Sequence, residues 1–356
     1  ATTSFKNGLL KIQNFEIFRF DLKSEYRIIS DRVAFERLFI LSNRSKFYFA
    51  GDMYNLKDPF FDFHFHSRIS IDQAKQMFRL GPEMSGAGNF RGIYKGTFAR
   101  FRLQGHGDFK NFIFYSLPID NANFDLDMTD NWLNVNNIPA SLFDGSYTGT
   151  FSIPPLKGIS VYNADAKFQN WDGRRLGEFI RMKDMILPVK GSGTAKIRWD
   201  ERGGVKKGTG DIAFKLEPYT NASTDLAAEA DATHFENSLY SQPFVLAAHN
   251  ETSLRMEGGQ LRDIQSVLQT PYTRTNIEGT IDFSGKADLS VHTTTEKIPE
   301  IDLLFHHLQS YFGGKPARLQ EFWGVSGKAD FQGHVDQTVW GPFKPRFTGN
   351  VHGRDT

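Results

Sequence analysis

The stretch Phe61-Asp62-Phe63-His64-Phe65-His66-Ser67-Arg68-Ile69 alternates residue by residue. Phe61, Phe63, Phe65 and Ile69 share one side, and Asp62, His64, His66 and Arg68 share the other. Period two is the signature of a β-strand, whose successive side chains point to opposite faces. The pattern recurs along the chain. Ala99, Phe101 and Leu103 oppose Arg100, Arg102 and Gln104, while Phe124, Leu126 and Met128 oppose Asp125, Asp127 and Thr129. Ala195, Ile197 and Trp199 oppose Lys196 and Arg198, and Ile212, Phe214 and Leu216 oppose Asp211, Ala213 and Lys215. Ala287, Leu289 and Val291 oppose Lys286, Asp288 and Ser290. Together these runs predict an antiparallel sheet with one apolar face and one wet face.

Turn signals separate the runs at Asp144-Gly145, Asp172-Gly173, Gly203-Gly204, Gly258-Gly259 and Gly313-Gly314. Asp144-Gly145 predicts a tight hairpin into a strand over Ser146–Ile153, which Pro154-Pro155 ends. A further motif occurs four times: Gly, three residues, a large apolar residue, a polar residue, Gly. The copies are Gly86-Ala-Gly-Asn-Phe90-Arg-Gly92, Gly193-Thr-Ala-Lys-Ile197-Arg-Trp199, Gly279-Thr-Ile-Asp-Phe283-Ser-Gly285 and Gly327-Lys-Ala-Asp-Phe331-Gln-Gly333, with Trp199 departing from the pattern. Chance alone would give about three Gly pairs at this spacing, so the apolar fourth position and the amphipathic lead-in carry the argument. The lead-ins, Ile71–Leu80, Leu176–Leu187, Leu261–Leu268 and Leu303–Phe312, are expected to be short helices. Gly193, Gly279 and Gly327 would then turn the chain from helix into strand, and Gly92, Gly285 and Gly333 would ease a bend or bulge. The uneven spacing of the copies excludes a propeller or a leucine-rich solenoid. Soft borders divide the chain into three β segments, 1–160, 161–255 and 256–356.

Phe is over-represented, at 34 of 356 residues, and the formal net charge is only +1. Lys and Arg are dispersed, which argues against a nucleic-acid partner. With no Cys, the chain has no disulfide framework, thiol nucleophile or Cys-based zinc site. No apolar run approaches the roughly 20 residues that span a bilayer. No secretory signal opens the chain, whose first residues mix both charges, so it reads as a segment of something longer with any anchor outside it.

Four places invite a chemical reading. His64 and His66 share a strand face at a spacing that can chelate zinc or copper, but a solvated strand face suits them better. His306-His307 falls in a helical pattern, where neighbours diverge. Asp120, Asp125, Asp127 and Asp130 lack the spacing of a calcium loop, and a glycosidase would need two carboxylates in a cleft. Gly81-Pro-Glu-Met-Ser85-Gly86 is not a nucleophile elbow, and neither a phosphate loop nor a zinc-protease helix occurs. The expectation is no catalysis, no cofactor and no metal.

The repeated strand-turn units, the Gly motifs after amphipathic lead-ins, the stretch from Leu38 to Ile71 and the closing run from Gly327 to Gly353 resemble the AsmA-like superfamily of bacterial envelope proteins, and its TamB-type branch most closely. The resemblance covers nearly the whole chain and rests on repeat texture. It implies a mainly β fold, with a long antiparallel sheet curled into an open, apolar-lined groove accompanied by short amphipathic helices. It also implies a periplasmic location, an inner-membrane anchor outside this segment and an outer-membrane β-barrel partner. The implied function is to conduct phospholipid acyl chains between the two membranes, neighbouring segments of the same parent chain continuing the groove. No catalytic motif carries over.

Under that reading the lining residues are the apolar-face positions. In the first part of the chain these are Phe47, Phe49, Phe61, Phe63, Phe65, Phe90, Phe101, Leu103, Phe124, Leu126 and Phe151. Further on they are Ile197, Trp199, Ile212, Phe214, Phe283, Leu289 and Phe331. Two rival readings compete: a structural or chaperone-like scaffold that helps assemble outer-membrane proteins by strand pairing, and a carbohydrate-active β-solenoid enzyme.

Overall fold

The computed structural model describes residues 1–10, 18–42, 44–78, 84–114, 117–136, 138–154, 159–179, 185–219, 244–284, 286–301, 303–304, 327–335 and 347–354. The protein is mainly β, and one long antiparallel sheet holds 20 strands. The chain divides into two compact units, residues 1–142, 146–164 and 200–202 in the first and 143–145, 165–199 and 203–356 in the second.

The first unit is a meander. Strands β1 (Thr2–Leu10), β2 (Phe18–Ile29), β3 (Arg32–Ser42), β4 (Ser45–Tyr54) and β5 (Phe60–Ser70) pair in sequence order. After helix α1 (Ile71–Phe78) come β6 (Met84–Gly96), β7 (Phe101–Phe114) and β8 (Leu117–Thr129), again paired in order. The short β9 (Leu133–Asn136) and β10 (Ala140–Leu142) both pair with β8, and β11 (Gly145–Ile153) pairs with β9. Strand β12 (Val161–Asp172) begins here and belongs to the second unit from Asp165 onward. The predicted alternation is seen here: along β5, Phe63 and Ser67 are buried while His64, His66 and Arg68 are exposed. Helix α1 packs on β5 and β6, as eight residues require, since so short a helix is marginal alone.

In the second unit, α2 (Gly173–Phe179) starts where the Asp172 carboxylate accepts the Arg174 N–H at 2.7 Å, an N-cap in place of the turn expected at Asp172-Gly173. The two-residue strands β13 (Met185–Ile186) and β16 (Phe244–Val245) form a separate parallel pair. Strands β14 (Val189–Asp200), β15 (Thr209–Pro218), β17 (His249–Glu257), β18 (Gln260–Gln269), β19 (Thr273–Asp282), β20 (Ala287–Thr295), β21 (Lys328–Val335) and β22 (Phe347–Arg354) pair successively. Residues 298–301 and 303–304 are helical.

Of the four lead-ins, Ile71–Leu80 is helical over its described part, and Leu176–Leu187 is helical to Phe179 with β13 at its end. Leu303–Phe312 is helical at 303–304, and the rest lies outside the described residues, as do Gly313-Gly314, Gly285 and His306-His307. Leu261–Leu268 is a strand, β18, and the helical expectation there fails. The reason is a bulge between Leu261 and Ile264, where Asp263 takes a φ of 49°. The extra residue lengthens one step from two to three, so the apolar spacing imitates a helix while the residues stay on one sheet face.

The motif glycines are also reassigned. Gly193 and Gly279 lie inside β14 and β19 rather than at helix-to-strand turns, and only Gly327 directly precedes its strand. A Cβ on Gly279 would collide with the Asp288 carbonyl of β20, so this glycine serves close strand approach. At the predicted Asp144-Gly145 hairpin, the left-handed residues are Phe143 and Asp144. Gly258-Gly259 forms the expected tight turn, both residues having positive φ between Glu257 and Gln260.

Candidate functional site

The apolar face of the first unit is a continuous sheet of rings. Tyr26 of β2 lies 5.9 Å from Phe35 of β3, and Phe35 lies 5.7 Å from Phe63. Contact then passes from Phe63 to Phe49 at 6.0 Å, to Phe65 at 5.8 Å and to Phe90 at 5.3 Å. Phe90 meets Phe124 at 6.4 Å, and Phe124 stacks on Phe109 at 5.3 Å with 15° between planes. A branch runs from Phe61 to Tyr94 at 6.2 Å and from Tyr94 to Phe101 at 5.5 Å. One face of seven neighbouring strands, β2 to β8, is thus paved by rings in mutual contact.

Register explains how so many rings fit. Across the strand pairs Phe35 opposes Gly51, Phe65 opposes Gly92, Phe109 opposes Gly88, Phe124 opposes Gly107 and Phe101 opposes Gly96. Several rings lie over the glycine beside them. A Cβ on Gly105 would sit 2.9 Å from Phe90 Cζ, and one on Gly107 would strike the Phe124 ring. The second unit repeats the device, since a Cβ on Gly191 would collide with the Trp171 indole and one on Gly193 would lie 2.7 Å from Phe168 Cζ. A ring lying over a missing side chain covers the backbone and keeps the face low, the pairing known as aromatic rescue of glycine.

Each proposed lining residue of the first unit falls on this face. Phe63 and Phe90 are buried at 7% exposure each, whereas Phe47, Phe49, Phe61, Phe65, Phe101, Leu103, Phe124, Leu126 and Phe151 are half-buried. Side contacts between rings account for half-burial, and a second layer packed on top would complete it. Tyr94 donates its hydroxyl to the Thr97 carbonyl at 2.9 Å, and burial pushes its phenol up to about 12.

The opposite face is wet and paired. Lys95 reaches Asp62 at 2.9 Å, Arg102 grips Asp127 through two bonds of 3.0 and 2.7 Å, and His106 meets Asp125 at 3.0 Å. The Arg102 guanidinium holds the Asp127 carboxyl below its ordinary value. Asp127 is therefore the cross-strand ion-pair partner of Arg102, and Asp125 a cross-strand hydrogen-bond partner of His106. His66 stacks on Tyr48 at 4.6 Å, and among the described residues no group of three His, Cys, Asp or Glu is placed to hold a metal.

In the second unit, Ile264, Ala287, Leu289 and Val335 form a buried cluster, with Leu254, Leu261, Ile277, Ile281 and Val291 against it. Ile197, Trp199, Ile212, Phe214 and Phe331 are half-buried on their strands. Phe283 departs from the expectation: it lies in the turn after β19, half-buried, with its N–H on the Gly259 carbonyl at 3.0 Å. This unit's face is also less uniformly apolar than the alternation implies. Asn250, Thr252, Thr273, Thr293 and Thr295 are buried on it: Asn250 and Thr252 bond to each other and to Ser266, Thr273 pairs with Thr295 at 2.9 Å and Thr293 with Thr275 at 3.0 Å.

Sequence reasoning missed Phe35, Phe109, Tyr94 and the glycines beneath the rings. A signal existed in the glycines of β6 and β7, Gly88, Gly92, Gly96, Gly105 and Gly107, all even steps apart within their strands. Among the described residues no helix is long and apolar enough to cross a membrane. Comparisons with protein-family models, curated proteins and solved structures return no match.

Proposed function

We propose that this chain is a segment of a periplasm-spanning protein that conducts phospholipid between inner and outer membranes, the acyl chains moving along the ring-paved face. The observation that carries this reading is the half-burial of most rings on that face. Each methylene transferred from water to an apolar surface gains about 0.8 kcal/mol, so a face of rings is a strong sink for acyl chains. Rings supply area with few polar atoms to desolvate, and glycines beneath them keep the face low, which suits sliding of a tail from ring to ring. The charged head group would stay in water beyond the face. The resemblance to AsmA-like envelope proteins supports the same reading, together with an anchor and an outer-membrane barrel partner outside this segment.

The test is photocrosslinking in cells. A photoreactive phenylalanine analogue at Phe65 or Phe124 is expected to capture phospholipid, while the same analogue at Tyr48, on the opposite face, is not. Absence of lipid at Phe65 and Phe124, or equal capture at Tyr48, would reject conduction along this face. Capture of an outer-membrane protein at those positions in place of lipid would favour the scaffold reading.

A further inference from the structure

The helical turn at 298–301 brings an acidic residue into the second unit. Glu300 is only 2% exposed, and Ile298 and Leu303 beside it are buried at 5% and 1%. Its Oε2 accepts the Thr270 hydroxyl at 2.7 Å and also the Thr273 hydroxyl. Its Oε1 has no hydrogen-bond partner among the described residues, and the small pocket beside it is walled by Leu246, Leu268, Ile301 and Leu304. Thr273 Oγ1 lies 2.9 Å from Thr295 Oγ1, whose own hydroxyl also reaches the Lys297 carbonyl at 2.9 Å.

Each hydroxyl has one proton to give. With the carboxylate ionised, Thr270 and Thr273 both direct theirs to Oε2, which leaves Oε1 buried and without a donor among the described residues. A proton on Oε1 removes the charge without disturbing either threonine. We propose that Glu300 makes the helical turn 298–301 a proton-operated latch on the end of the second unit's face: with the carboxyl neutral the turn is locked over the threonine row, and ionisation loosens it.

Burial raises the Glu300 carboxyl above its ordinary value, against a smaller pull from Thr273, Thr270 and Lys297. The sign follows from linkage. A raised acid favours the docked form at low pH, and that advantage is lost as pH rises through the raised value. Among the described residues Lys297 is the charged group acting on it, and its Nζ lies 3.9 Å from the Tyr272 ring. Arg262 and Asp263 on β18, Arg274 and Glu278 on β19, and Asp288 and His292 on β20 are exposed to solvent. Glu251 on β17 is exposed too, half-buried His249 acts on Glu217, and Glu296 pairs with Lys328.

Hydrogen exchange of the whole chain at pH 5, at pH 8 and at steps between them, corrected for intrinsic rates, tests the latch. The amides of Ile298, Glu300 and Ile301 should exchange severalfold faster at pH 8 than at pH 5, because ionisation removes the advantage of docking, with β18 and β19 unchanged. Glu300→Gln should protect the turn equally at both values. Thr273→Val, which removes a donor to the ionised form, should move the midpoint to higher pH. A wild-type turn indifferent to pH, a Glu300→Gln chain that keeps the dependence, or a midpoint unmoved by Thr273→Val would each overturn the proposal.

Discussion

Replacing Gly107 by Ala isolates the packing of rings over glycines. The three atoms nearest a Cβ there all belong to the Phe124 ring, at distances down to overlap, and none is backbone. Gly107 does not have positive φ, so alanine is allowed by the chain itself. The ring must tilt away, weakening its stack on Phe109 and its contact with Phe90. Two aromatic contacts are worth about 0.5–1.5 kcal/mol each, and overpacking costs typically ~1–3 kcal/mol. Gly107→Ala should therefore destabilise the first unit by about 1–3 kcal/mol in urea unfolding followed by circular dichroism. In a Phe124→Ala background the obstacle is gone. The same substitution should then be neutral or stabilise by about 0.4–1 kcal/mol, because alanine restricts the unfolded chain more than glycine does. This reversal of sign is the diagnostic of the double-mutant cycle. Equal destabilisation in both backgrounds would refute the idea that the ring rests on the glycine.

Gly279→Ala should behave differently, since a Cβ there meets the Asp288 carbonyl and φ is +140°. A loss of more than about 3 kcal/mol, seen in the same unfolding assay and unrelieved by any change of side chain at 288, is expected. The phenol of Tyr94 should ionise only near pH 12, because burial disfavours the phenolate. Ultraviolet titration of wild type against Tyr94→Phe should show the missing absorbance above about pH 11, and a difference centred near the ordinary phenol value of about 10 would contradict the burial.

The faces of residues 61–69 in β5, 101–104 in β7, 124–129 in β8, 195–199 in β14, 211–216 in β15 and 287–291 in β20 were legible in the sequence, because a strand's period of two is local and needs no partner. The hairpin at Gly258-Gly259 was legible for the same reason, as two adjacent glycines accept left-handed backbone wherever they stand. The helix assigned to Leu261–Leu268 shows where local reading stops. A bulge at Asp263 changes the period by one residue, and a bulge exists only relative to the strand it pairs with. Register belongs to the same category. That Phe124 faces Gly107, or Phe65 faces Gly92, follows from the alignment of separate strands and not from either strand alone. Burial of Glu300 depends on residues from 246 to 304 meeting in space, and in the sequence it is only one more carboxylate. The chain by itself determined an alternating, one-faced sheet; strand alignment decided which rings lie over glycines and which acid is buried, because both depend on neighbours that only folding brings together.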